Sequence, residues 1–205
     1  MNIFKRILGK SNEESVYIVS GLPRSGTSMM MSMLNSGGLE IVTDNFRIAD
    51  NNNPKGYFEF ERVKKLQDGD NGWVKDARGK VVKVISALIK YLPDNYQYKI
   101  IFMSRDINEI LSSQRRMLER DGKDDDNISD EKMSKLFNNH ILDVMKWMQN
   151  RKNIQYLVVN YNEVLQDPES NVGKLNEFLG LELDKRKMVE VIEPNLYRER
   201  KSINK

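Results

Sequence analysis

The stretch Val16-Tyr17-Ile18-Val19-Ser20-Gly21-Leu22-Pro23-Arg24-Ser25-Gly26-Thr27-Ser28 constrains this 205-residue chain more than any other. A β-branched and aromatic run breaks at a glycine-bearing turn and reopens as a helix over residues 27 to about 34, with methionines on its inward side. Strand, loop and helix N-terminus in that order form a cradle for an anion. Backbone N–H groups and the positive end of the helix dipole point at the guest, and the hydroxyls of Thr27 and Ser28 close the nest. A phosphate or sulfate is expected there; an N-capped turn without a ligand is the alternative.

Which anion carrier fits depends on one position. Residues 21–28 match G-x-x-x-x-G-x-[ST], but Thr27 stands where a nucleoside triphosphatase loop needs Lys. A cation occurs three residues earlier instead, at Arg24.

The rest of the composition narrows the field. Lys and Arg exceed Asp and Glu by only three, so charge gives no argument for nucleic acid. With no cysteine, disulfides, thiolate metal sites and a cysteine nucleophile are excluded. No apolar run approaches the roughly 20 residues of a membrane span, and no secretory signal is visible, so a cytoplasmic protein is expected. Residues 1–10 form a short basic amphipathic segment, read either as a peripheral contact with an anionic membrane or as a frayed, core-capping first helix. The length suits one domain spanning 1–205, with 1–14 as a loosely attached N-terminal segment.

Along the chain, Asn35-Ser36-Gly37-Gly38 stops the loop helix, and residues 39–57 read as an ordered loop over the cradle. A helix is expected over 59–66, a doubly buried strand over 81–85 and a helix over 86–92 stopped by Pro93. A second buried strand is expected over 99–103, then a helix over 107–119 and a charged loop over 121–130. A long helix follows, with Met133, Leu136, Phe137, Ile141, Val144, Met145 and Met148 on one stripe, the methionines read as core filler. Residues 156–159 read as the fourth strand, and the remainder as helical. This alternation predicts an α/β, three-layer P-loop fold, its central, mostly parallel sheet flanked by helices.

In such a sheet ligands bind at the carboxyl ends of the strands. Arg105 stands at the end of its strand and Ser113 two turns into the following helix, a charge and a hydroxyl able to grip one more phosphate. Pro23-Arg24-Ser25-Gly26-Thr27-Ser28 after a strand resembles the 5′-phosphosulfate loop of sulfotransferases that use 3′-phosphoadenosine-5′-phosphosulfate (PAPS), and the spacing from Arg105 to Ser113 is similar to their 3′-phosphate motif. The strand and Leu92-Pro93 segment resembles what precedes that motif, and Tyr161-Asn162-Glu163 through Asp167-Pro168 to Phe178-Leu179-Gly180 resembles a late segment of the family. Asn53-Pro54-Lys55-Gly56-Tyr57-Phe58-Glu59 is similar to the smaller bacterial proteins of that family.

The resemblance implies a sulfuryl transfer from PAPS as co-substrate, without a metal, to an unnamed hydroxyl or amine. Pro23, Arg24, Ser25, Gly26, Thr27 and Ser28 would hold the 5′ end and Arg105 and Ser113 the 3′-phosphate, with Lys83 as a second cation or the partner of a buried acid. The catalytic His of the animal cytosolic enzymes falls at Ile85 here, so the histidine base is missing; Asp44 and then Glu59 are the candidate bases, with a plain loop or helix-cap acid as the alternative reading of each. His140 reads as a surface or packing residue, and Arg198-Glu199-Arg200-Lys201 as a solvated end. A nucleotide or small-molecule kinase and a non-catalytic nucleotide-binding module are the competing readings.

Overall fold

The computed structural model describes residues 14–44, 56–122 and 128–192. Five strands, β1 (Ser15–Gly21), β2 (Ile41–Val42), β3 (Val81–Lys83), β4 (Gln97–Ser104) and β5 (Ile154–Asn160), form one sheet in the order β2-β3-β1-β4-β5. All four neighbouring pairs run parallel. Every residue of β1 is buried, which is why its sequence is a continuous apolar run and not an alternation: it has strands on both edges and helices on both faces.

The helices are α1 (Thr27–Ser36), α2 (Ile107–Arg120), α3 (Asp130–Gln149), α4 (Tyr161–Gln166), α5 (Pro168–Leu179) and α6 (Lys185–Glu190). Two apolar layers result. On one face Tyr17, Val19, Val81, Ile101 and Met103 pack with Met30, Met31, Met33 and Leu34 of α1 and with α5 and α6. On the other, Val16, Ile18, Val82, Val84, Ile100 and Phe102 meet Val144 and Met148 of α3 and the short 3₁₀ segments. The α/β architecture and the inward methionines of α1 agree with the sequence reading. The α3 stripe agrees only in its C-terminal half, since Leu136 is 50% exposed.

Three local expectations change. Ile41–Val42 is a strand within what reads as loop, pairing with Val81 and Val82; two residues carry no period to detect. The helix expected over 59–66 is a 3₁₀ segment, Glu61–Asp68, closed by Gly69 in the left-handed region at φ 87°. The helix expected over 86–92 is a turn followed by 3₁₀ geometry at Ile89–Tyr91. There, Val84 and Ser86 N–H still donate to Val19 and Gly21 carbonyls, extending the chain past β3. Leu92, which precedes Pro93, is extended (φ −63°, ψ 133°), as the proline ring requires.

Residues 1–10, 53–55, 123–127 and 198–201 lie outside the described residues. Among the described residues no helix is long and apolar enough to cross a membrane.

Candidate functional site

The carboxyl ends of β1, β3, β4 and β5 meet on one rim. β1 ends at Gly21, where a Cβ would stand 2.6 Å from the Met103 carbonyl oxygen. Only glycine allows the two strands to stay paired as the chain turns upward. Ser25 N–H and Oγ both donate to the Leu22 carbonyl, at 3.2 and 2.7 Å, so its polar groups shape the loop. Between them Arg24 takes a left-handed conformation, φ 70°, which costs an L-residue about 1–2 kcal/mol. Strain at a loop whose N–H groups must converge is stored for a purpose when a guest occupies the convergence.

Gly26, at φ 99°, precedes α1 and offers no side-chain cap, and the first turn of α1 holds no acid. The helices α2 to α6 are each capped by a side chain, from Asp106, Ser129, Asn160, Asp167 and Asp184. At α1 the orphan N–H groups of the first turn are left to a ligand or solvent.

Three cation-bearing residues surround this helix end. Arg24 Nε donates to Ser113 Oγ at 2.9 Å, and Arg105 Nη1 donates to the Arg24 carbonyl at 3.2 Å. The loop and the proposed 3′-phosphate pair are thus one linked cluster, joining the loop after β1, the residue that follows β4, and α2. From β3, Lys83 Nζ donates to Ser28 Oγ at 3.2 Å and to the Tyr57 carbonyl at 2.9 Å.

Beneath the arginines lies a buried layer the sequence reading passed over. Arg105 Nε pairs with Glu109 Oε2 at 2.9 Å, the two side chains 8% and 5% exposed. Asn162 Nδ2 donates to the other oxygen, Glu109 Oε1, at 3.2 Å. The guanidinium lies 4.5 Å above the Tyr161 ring, whose hydroxyl is held above the usual phenol range mainly by burial. The available signal was the Arg105-x-x-x-Glu109 spacing, the i,i+4 separation of a helical ion pair.

Asp44 and Glu59 come together. Thr43 Oγ1 and Asp44 N–H both donate to the Glu59 carbonyl, and Asp44 Oδ2 accepts Glu61 N–H at 2.6 Å, capping the Glu61–Asp68 segment. Glu59 Oε2 stands 3.9 Å from Lys64 Nζ. The irregular stretch from Gly56 to Phe60, with Phe58 in the left-handed region at φ 51°, therefore connects Lys83, through Tyr57, to both acids.

His140 sits closer to the rim than its place in the chain suggests. Its Nε2 shares a 2.9 Å hydrogen bond with Oγ of Ser86, a 2% exposed residue whose N–H meets Gly21. Burial, with Lys90 adding and Asp143 opposing, lowers the imidazole pKa below its ordinary 6.5. The folded state then takes up this proton less readily than the unfolded chain. The stability tied to a neutral His140 is full above pH 6.5 and is lost as the pH falls below it. Urea unfolding of His140→Gln is expected to show a shallower loss between pH 7 and 5 than the parent; equal slopes would contradict this.

Among the described residues there is no group of three or more His, Cys, Asp or Glu placed to hold a metal ion.

Comparison with known proteins agrees with this architecture. A sulfotransferase domain from the curacin biosynthetic pathway superposes at a TM-score of 0.53 and 11% identity, covering 87% of this chain and 78% of that one. Mouse sulfotransferase SULT7A1 complexed with PAP superposes at 0.55 and 19% identity, covering 91% and 67%. At such identities the likeness is one of fold. No curated protein sequence matches the chain. Residues 14–204, nearly the whole length, match the sulfotransferase domain family. The chain belongs to that family of transferases.

Proposed function

We propose that this protein moves a sulfuryl group from PAPS to a hydroxyl or amine acceptor. The observation that carries the reading is the joining of an uncapped helix N-terminus to two arginines and a serine, through Arg24–Ser113 and Arg105–Arg24. A nucleotide with phosphates at both its 5′ and 3′ ends needs two anion sites about this close together; a triphosphate chain needs only the first. SULT7A1, of like fold, was crystallised with PAP.

In this reading the N–H groups after Gly26, with Thr27 and Ser28, hold the 5′-phosphate, and Pro23 and Ser25 set the turn that presents them. Arg24 and Lys83 neutralise charge on the leaving and equatorial oxygens as the acceptor O–S bond forms and the S–O bond to phosphate breaks. Arg105 and Ser113 recognise the 3′-phosphate. Hydrogen bonds to a charged group contribute about 1.5–3 kcal/mol, so Arg105→Ala is expected to weaken 3′,5′-adenosine bisphosphate about 10- to 100-fold and 5′-AMP hardly at all.

An alcohol acceptor must also lose a proton. Asp44 is the first candidate for the base and Glu59 the second, both on the segment tied to Lys83 through Tyr57. Asn at position 44 keeps an oxygen for the Glu61 N–H and removes only charge and basicity. Asp44→Asn is therefore expected to lower turnover 10²-fold or more, within the ~10²–10⁴ range of general-base catalysis, with unchanged bisphosphate affinity.

The direct test is incubation with PAPS and a panel of alcohols and amines, read by mass spectrometry for sulfated product. Product without metal supports the reading. Magnesium-dependent transfer from ATP instead would make the protein a kinase, and tight bisphosphate binding without any product would leave a binding module.

A further inference from the structure

Arg105 does not choose its own position. It leaves β4 at the rim and is held from three directions: by the Arg24 carbonyl at Nη1, and by two groups that the roles above do not use, Glu109 at its Nε and the Tyr161 ring. Glu109 is in turn gripped at its second oxygen by Asn162, in the first turn of α4 directly after β5. An acid 5% exposed and bonded at both oxygens is a fixed strut. It cannot swing aside to compete with an incoming phosphate, and it fixes the fork of the guanidinium against a planar support.

We infer that Glu109, oriented by Asn162, is the positioning residue that aims Arg105 at the 3′-phosphate and so sets the preference for a 3′-phosphorylated nucleotide. The inference rests on the role given to Arg105 above. Two opposing effects follow from removing the Glu109 charge. A guanidinium freed from its partner carries more unopposed charge toward a phosphate, which would strengthen binding. A Gln amide keeps one oxygen but turns its NH2 toward one of the two donors, Arg105 Nε or Asn162 Nδ2, so one arm of the strut is lost and with it the orientation that bidentate recognition needs, which would weaken binding. Because Glu109 is immobilised at both oxygens, the loss of orientation dominates.

The test is titration calorimetry of 3′,5′-adenosine bisphosphate and 5′-AMP against the parent, Glu109→Gln and Asn162→Ala. In the parent the bisphosphate is preferred. In Glu109→Gln that preference is expected to fall about tenfold, the scale on which partners that orient metal ligands act, while 5′-AMP affinity stays within twofold. Asn162→Ala, which leaves the Arg105–Glu109 pair in place, is expected to give a smaller loss in the same direction, and it decides the matter should Glu109→Gln not fold. An unchanged or increased preference in the folded variants, or an equal loss for both nucleotides, overturns the inference. A parent with no preference for the bisphosphate overturns instead the role assigned to Arg105.

Discussion

Arg24→Met is expected to reduce kcat/KM for PAPS by about 10²–10³-fold, the loss that follows removal of one preorganised donor from developing negative charge. The fold should hardly notice. Methionine keeps the apolar stem and the same left-handed backbone penalty at φ 70°, so Tm should stay within a few degrees. Arg24→Gly separates the two contributions further. Glycine relieves about 1–2 kcal/mol of strain and adds about 0.4–1 kcal/mol of unfolded-chain entropy, leaving stability equal or slightly higher while activity is lost. Arg24→Lys, with charge but no planar fork, should restore part of the rate. If kcat/KM of Arg24→Met fell less than fivefold, Arg24 would have no part in neutralising the leaving group.

Gly26→Ala is expected to damage both fold and site. A Cβ there would stand 2.4 Å from Tyr161 Cδ2 and 3.1 Å from Cε2, at a φ of 99°. The ring cannot retreat without disturbing the Arg105 guanidinium stacked on it at 4.5 Å. Left-handed strain and overpacking together cost about 3 kcal/mol, which in a domain of this size lowers Tm by about 6–12 °C. Gly38→Ala is the matched comparison: φ is 102° and nothing lies within 4 Å of the added atom, so only strain remains. It should lose about 1–2 kcal/mol and keep nucleotide affinity, whereas Gly26→Ala should lose both. Calorimetric melts and bisphosphate titrations on the pair check this; equal behaviour would mean that the Gly26–Tyr161 contact is unimportant.

These two glycines also mark how far the sequence could be read. The cradle was legible because its signal is local: a buried strand, a glycine turn and a helix start within thirteen residues. That Gly26 is needed against Tyr161, more than a hundred residues later, was not legible, since the contact is made where the segments leaving β1 and β5 meet at the rim. The same holds for the layer under Arg105. The i,i+4 spacing to Glu109 is local, but the grip of Asn162 and the stacking of Tyr161 depend on β5 pairing beside β4, with Ser104 opposite Asn160. His140 is a third case. Sequence distance made it look remote, yet α3 lies across the sheet face and brings its imidazole onto Ser86. The segment over 86–92 failed for a different reason: apolar spacing suggested a helix, while strand-type bonds from Val84 and Ser86 to β1 held its start extended.

Sulfuryl transfer from PAPS at this rim requires one molecule to meet both anion sites at once. Titration calorimetry of 3′,5′-adenosine bisphosphate, 5′-AMP and ATP, each with and without magnesium, tests this most directly. Metal-independent binding of the bisphosphate at least tenfold tighter than either alternative is predicted, and lost in Arg105→Ala. Equal affinity for bisphosphate and 5′-AMP, or a magnesium-dependent preference for ATP, would contradict it.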